Sequence, residues 1–390
     1  MAFAHQVGGH AATILASPLS SSTLIKPASD RELEFYQRVG PRLADGQLVG
    51  EWTPGFYGTL RSHRPPPAAG SGDGTAAQED NAAVLLRQPD MLVLENLTHR
   101  FLRPNVLDIK LGTQLYDEDA TDDKKQRMRK AAESTTSAAT GIRLTGFQVW
   151  NRDTQAYVQT DKVFGKSLEA DELALGFARF FCPPDSPLSR AEQRIIDITD
   201  STSAKEPSVG SDTGSRADES SDSLRTHPAG PPALPTDLLL IVLRTLLRRL
   251  KQLIALLSTV EMRMRGGSLL VVVEGDPDAL ERAVLRLAGP QRAGAPAPQS
   301  QRGGAVVRQA ESEQAAADDD GDDDGASVST TDEEGNAKRE TLLPLEMRLI
   351  DFAHTRAAPG EGPDEGVLLG LRTTERLWGE LVAQLEERER

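Results

Sequence analysis

The chain has 390 residues, 44 Lys and Arg against 59 Asp and Glu, and a net charge of −15. That balance excludes a general nucleic-acid surface. The single cysteine, Cys182 in the turn FFCPPD, excludes an internal disulfide framework and fits a reducing compartment. Three stretches, 62–82, 199–235 and 289–340 (the last with DDDGDDDG at 318–325), hold too few large apolar residues to offset the entropy of ordering them. Without them about 280 residues remain, enough for one two-lobed core. The first residues lack the cationic start and apolar run of a signal peptide.

In chain order, STLIK at 22–26 reads as a short strand ending in a lysine. Ser29-Asp30-Arg31-Glu32 then has capping-box spacing ahead of the helical ELEFYQRV. MLVLENL at 91–97 is an apolar strand that stops at Glu95-Asn96. VLDIKLG at 106–112 is a third strand, with Asp108 and Lys110 on one face because side chains alternate. Residues 121–140 are expected to be helical with Met128, Ala131 and Ala132 inward. IRLTGFQVW (142–150) and QAYVQTDKVFG (155–165) predict paired strands, and ADELALGFARFF (170–181) an amphipathic helix.

Residues 237–257, DLLLIVLRTLLRRLKQLIALL, are the one candidate membrane span. Arg244, Arg248, Arg249 and Lys251 interrupt it, each costing ~2.5–3.5 kcal/mol near a bilayer centre, so a buried amphipathic helix is expected instead. SLLVVVEG (268–275) and RLIDFAHT (348–355) predict further strands, and TERLWGELVAQLEE a closing helix. The order of elements implies an α+β fold in two lobes.

Several motifs fail. FGKS at 164–167 invites a phosphate-loop reading, but the required first glycine falls on Thr160. There is no HExxH, no Cys/His zinc spacing and no GxSxG. Others leave two readings open. Asp108 and Lys110 are an ion pair on a strand or a catalytic pair. Asp351, an acid ending a buried apolar strand, is costly unless salt-bridged or bound to Mg²⁺ against nucleotide phosphates. DDKKQRMRK at 122–130 is a solvated helix face or a receptor for something more anionic than the protein, with Lys124 and Arg127 sharing one side. Together, an early strand lysine, an acidic hinge and a late Asp-Phe dipeptide form the sparse parts list of a kinase-like phosphotransferase, without its His-Arg-Asp loop.

PNVLDIKLG at 104–112 matches the PxxxDxKxG signature of the inositol polyphosphate kinases. KPASDRELEFY (26–36), VLENLTHRF (93–101), the region 115–150, GKSL, GSLLVVVEGD and LIDFAHT…DEGVLLGL resemble that family in order. Within it the chain looks closest to the fungal multikinases, with the hexakisphosphate kinases second. The start, QVGGH around His10, is only loosely similar. Asn96 stands where relatives often carry Asp, and Gly267 where a second serine is usual.

The resemblance implies a two-lobed, protein-kinase-like fold with disordered insertions. Residues 1–103 would form an ATP-binding lobe and 104–390 a second lobe, with an inositol-phosphate-binding region at 113–181. Lys26 would hold the ATP phosphates, with Glu32 as its ion-pair partner. Glu95 and Leu97 would meet adenine through their backbone, Asp108 the ribose, and Ser268 would lie near the nucleotide. Asp351 would coordinate Mg²⁺ and Lys110 would stabilise the transferring group. Lys124, Arg127, Lys162 and His354 would face the inositol phosphate. The implied reaction takes tris- and tetrakisphosphates toward the pentakisphosphate. The alternatives are pyrophosphate formation on the hexakisphosphate, or a non-catalytic role beside transcription-regulator proteins. Expected further are a monomer in nucleus and cytoplasm, no direct nucleic-acid contact and no transmembrane segment. The acidic run is a contact tail or a solvated spacer.

Overall fold

The computed structural model describes residues 3–8, 14–18, 20–60, 91–181, 234–288 and 343–390. His10, Cys182 and the stretches 62–82, 199–233 and 289–340 lie outside the described residues.

Two antiparallel sheets carry the chain. In the first, β1 (Leu15–Ala16), β2 (Thr23–Pro27), β3 (Phe56–Leu60) and β4 (Met91–Glu95) lie in the order β1-β2-β4-β3. The second takes β5 (Pro104–Leu111), β6 (Ile142–Asn151), β7 (Ala156–Thr160), β9 (Ser268–Glu274) and β10 (Leu345–Ile350) in the order β10-β9-β5-β6-β7. A separate two-stranded sheet pairs β8 (Met262–Met264), which precedes β9, with β11 (Thr355–Ala357), which follows β10. β5 is central and buried on both faces, which is why VLDIKL reads as a nearly continuous apolar run.

Helix α1 (Asp30–Glu34) starts where expected: the Ser29 side chain accepts the Glu32 N–H at 3.2 Å. A π-helical turn, Phe35–Val39, follows and drives Phe35 into the core. There its ring stacks on Phe352, with centroids 3.9 Å apart. Short α2 (Gln47–Glu51) leads into buried Trp52, whose carbonyl accepts the Leu349 N–H at 2.7 Å. These two contacts lock the first sheet and its helices to the end of β10.

The region 121–140 is two helices, α3 (Asp122–Glu133) and α4 (Thr136–Thr140). Thr135 breaks them apart by turning its hydroxyl back to the Ala131 carbonyl at 2.9 Å. Of the three expected inward residues only Ala132 is buried, while Met128 and Ala131 are half-buried. The strand expected over 155–165 ends at Thr160, because the Asp161 carboxylate accepts the Val163 and Phe164 N–H groups and starts α5 (Lys162–Ser167). α6 (Leu173–Phe181) follows as expected.

Helix α7 (Thr236–Leu257) buries Leu239, Leu243, Leu246, Leu250, Leu253 and Leu257, alternately four and three residues apart, and packs on α9 (Glu365–Arg388). Its cations lie to the sides: Arg244 reaches Glu386 at 2.7 Å, and Arg249 covers the Trp52 ring at 5.1 Å. No helix among the described residues is long and apolar enough to cross a membrane. α8 (Pro277–Ala288) follows β9.

Two local irregularities shape the site. Asp108 pairs with Gly146 but Ile109 with Leu144, so Thr145 is an extra residue, a β-bulge opposite Asp108. Gly146 has φ 155°, and a Cβ there would lie 2.1 Å from the Val7 carbonyl oxygen, so only glycine admits the N-terminal segment at this point. The expected strand over 348–355 stops at Ile350, and Asp351 takes a left-handed φ of 65°. The turn is held from outside: Phe352 is fully buried against Phe35, and its N–H donates to Glu32 at 3.3 Å.

Candidate functional site

The end of β2, the start of α1 and the turn after β10 converge on one ammonium. Lys26 Nζ donates to Glu32 Oε1 at 2.9 Å and to Asp351 Oδ1 at 2.6 Å. Burial alone would lower this lysine, but Asp351 and then Glu32 outweigh it and hold its pKa above the ordinary value. Glu32 is 2% exposed and the Asp351 side chain 39%. One carboxylate is therefore a buried anchor and the other faces open space. The left-handed backbone at Asp351 turns its carboxylate out of the strand and toward Lys26.

Beside this triad lies a cavity of about 140 Å³, mostly apolar, lined by Leu24, Leu94, Leu97, Val106, Leu270 and Ile350 among others. Glu95 and Asp108 also border it. The Glu95 side chain accepts the Gly55 N–H at 3.0 Å, and its own N–H donates to the Gly55 carbonyl at 2.8 Å, fixing the end of β4. Asp108 is buried and takes the Thr145 hydroxyl at 2.8 Å, which the bulge aims at it. Burial and then Asp351 raise its pKa, against the hydroxyls of Thr145 and Ser268 and the charge of Lys110. Ser268 is buried on β9 opposite Lys110. The segment 3–8 closes this cavity: Phe3, Val7 and Gly8 line it, and His5 Nδ1 lies 2.7 Å from Gln148 Nε2. The weak motif around QVGGH did not announce that role.

Lys110, two residues further along the same face of β5, reaches a different space. Its Nζ donates to the Gly266 carbonyl at 2.8 Å and borders a second, polar cavity of about 690 Å³. Burial lowers its pKa, opposed by Asp108 and Asp351. Lys124, Met128 and Ala131 from α3 line this space, together with Arg143, Lys166 and His354. Two of the expected cations are elsewhere: Arg127 and Lys162 are exposed and lie outside the described lining.

Sequence reasoning missed Arg143 and Lys166. Arg143 is the cross-strand partner of Lys110, on the strand face that Thr145 shares, and burial lowers its guanidinium. Its buried Nε has no hydrogen-bond partner among the described residues. Lys166 sits in FGKS, one helical turn after Lys162, a position visible only once Asp161 is recognised as a cap. His354 Nδ1 lies 2.5 Å from Asp117 Oδ2, also on the cavity wall.

The arrangement is thus an apolar slot with a buried acid, a lysine–carboxylate pair at its mouth, and a cationic basin beyond, with β5 contributing Asp108 to one and Lys110 to the other. A family model for inositol polyphosphate kinase matches residues 91–202 and 235–378. The chain is 28% identical over 392 aligned positions to the inositol polyphosphate multikinase of Saccharomyces cerevisiae, covering 95% of each chain. Against that of Schizosaccharomyces pombe it is 29% identical over 179 residues, 46% of this chain and 62% of the other. With human inositol hexakisphosphate kinase 1 it shares 40% over 80 residues, 20% and 18% of the two chains. The crystal structure of the S. cerevisiae inositol phosphate multikinase in complex with ADP and Mn²⁺ matches with a TM-score of 0.52 at 22% identity, over 93% of this chain and 99% of that one. At that identity the likeness establishes the shared α+β, two-lobed fold.

Proposed function

The chain belongs to the inositol polyphosphate kinase family, and from that premise we propose that it transfers the γ-phosphoryl group of ATP to free hydroxyls of inositol tris- and tetrakisphosphates, toward the pentakisphosphate. The observation that carries this reading is the position of Lys110. It borders the cationic cavity while its charge is coupled to Asp108, Asp351 and Lys26 on the side of the apolar slot.

On this reading residues 1–103 with the slot take the nucleotide, and 113–181 contribute most of the inositol-phosphate wall. Adenine lies between Leu97, Val106 and Ile350. The Glu95 N–H is already given to Gly55, so the Glu95 carbonyl is the group left for the adenine amino group. Asp108 accepts the ribose hydroxyls and Lys26 neutralises the phosphates. Asp351 would hold Mg²⁺: its exposed carboxylate is a hard oxygen ligand, and no described group of three or more His, Cys, Asp or Glu forms a self-sufficient cage. An ion shared with nucleotide phosphates suits that donor set, and when bound it neutralises phosphoryl oxygens.

Lys110 then stands where charge develops on the transferring group. Lys124, Arg143, Lys166 and His354 hold phosphates already on the ring. Lysines grip phosphates as point charges with little demand on orientation, which supports phosphorylation at more than one position.

Purified protein with Mg-ATP and, separately, inositol tris-, tetrakis-, pentakis- or hexakisphosphate tests the proposal, alongside Lys110→Ala and Asp351→Asn. Conversion of tris- to pentakisphosphate, lost in both variants, is expected. Turnover of hexakisphosphate alone would reassign the chain to pyrophosphate formation. No turnover of any of the four would overturn the catalytic reading.

A further inference from the structure

One acid stands in the cationic basin. Lys110, Lys124, Arg143, Lys166 and His354 line it, and Asp117 is the one carboxylate among the described lining residues. A carboxylate repels a phosphate, so its place on this wall calls for a cause. Its Oδ2 lies 2.5 Å from His354 Nδ1 and 3.4 Å from Nη1 of Arg31, which also binds Asp119.

One cause would be mechanical, a latch tying α1 to the segment before α3. A latch does not need its acid on the cavity wall. Glu118, the next residue, is paired with Arg265 at 2.9 Å and Arg356 at 3.5 Å and takes no part in the described lining. Asp117 stays on the basin wall, and its described partners there are the His354 ring and the Arg31 guanidinium. Beside such a group a ring hydroxyl can donate a hydrogen bond, whereas a ring phosphate meets like charge.

We propose that Asp117 is a specificity-determining residue that admits a hydroxyl and turns away a phosphate at its corner of the basin, and so disfavours the fully phosphorylated ring. The proposal rests on the reading of the basin as an inositol-phosphate site. Arg31 sets the strength of the selector: the more it neutralises Asp117, the weaker the rejection.

Two variants of opposite sign test this by calorimetry, without turnover. Dissociation constants for inositol trisphosphate and hexakisphosphate are measured on the full chain, wild type, Asp117→Asn and Arg31→Ala. Asp117→Asn is isosteric and is expected to improve hexakisphosphate relative to trisphosphate by ~10-fold, the effect of one partly screened charge at close range. Arg31→Ala removes the guanidinium and leaves the carboxylate with His354 alone, and is expected to move the same ratio the other way. A latch alone would weaken both ligands in both variants with the ratio unchanged, and that result overturns the proposal. A shifted ratio in a protein with no kinase activity would overturn the proposed reaction and leave the selector standing. Wild-type protein that binds neither ligand would overturn both.

Discussion

Replacing Lys26 by methionine separates its structural role from its chemical one. The ammonium is shared by Glu32 at 2.9 Å and Asp351 at 2.6 Å. Methionine keeps the stem and deletes the charge. Asp351, 39% exposed, then turns to water at little cost. Glu32, 2% exposed, has no such recourse; its remaining described donor is the Phe352 N–H at 3.3 Å. Stranding one member of a buried pair costs ~3–5 kcal/mol. Lys26 is itself 21% exposed, so we expect the lower end, ~3 kcal/mol, or a Tm lower by roughly 6–12 °C for a core of this size. The double variant Lys26→Met/Glu32→Gln removes the stranded charge and keeps an acceptor for Phe352, so it should regain ~2 kcal/mol. Phosphotransfer should stay down by ~10³-fold in both, because neither supplies a cation to the nucleotide phosphates. Thermal unfolding and the product assay read the two effects apart. A single variant as stable as wild type, or a double variant that regains activity, would refute this division of roles.

Two further outcomes concern charge on β5. Burial holds Lys110 below its usual 10.5, so kcat/KM should fall on the alkaline side below that value, and Lys110→Arg should move the limb upward. The folded chain binds fewer protons at Lys110 than the unfolded one, so this residue's contribution to stability rises with pH between its lowered pKa and 10.5; a contribution that fell with pH over that interval would contradict the burial argument. Asp108 has the opposite sign. Its raised carboxyl binds more protons folded than unfolded, so ionisation erodes stability as pH rises from 3.8 through the raised value. Asp108→Asn should therefore raise Tm at pH 7 while raising the KM for ATP by ~10-fold; a lower Tm would mean that the hydroxyls of Thr145 and Ser268 outweigh burial.

The strands of the two sheets were legible where they lie inside a sheet. MLVLE, VLDIKL and SLLVVVE are apolar runs of strand length, and each has strands on both sides. RLIDFAHT reads the same way but turns at Asp351, because what bends it lies far off in the chain: Glu32, separated from Phe352 by 320 positions, takes its N–H. Lys26, Glu32 and Asp108 were singled out by the family resemblance, and the structure brings them together with Asp351. The basin was harder. Lys124 and Arg127 share a helix side, yet the stripe that meets the cavity runs through Lys124, Met128 and Ala131, and three residues of rotation leave Arg127 in solvent. Lys162 was placed by the resemblance alone; the helix that Asp161 caps leaves it exposed and brings Lys166 to the cavity wall. Asp117 carried no signal at all, since a search for phosphate ligands looks for cations.

The five residues of α1 explain how two cavities of such different chemistry keep a fixed relation. Ser29 caps the helix and so fixes the rotation of everything after it. Consecutive positions then point to different sites: Arg31 to Asp117 and Asp119 beside the basin, Glu32 to Lys26 and Phe352 at the mouth of the slot. Neighbours on a helix are about 100° apart, so one turn can serve two walls only if it lies in the angle between them. Phe35, one turn after Arg31, fastens that turn to Phe352. A change that rotates α1, unlike one that removes a single side chain, would therefore displace the Glu32 partner of Lys26 and the Arg31 partner of Asp117 together. This short helix and its serine cap, together with β5, which gives Asp108 to the slot and Lys110 to the basin, thus tie the two cavities to each other.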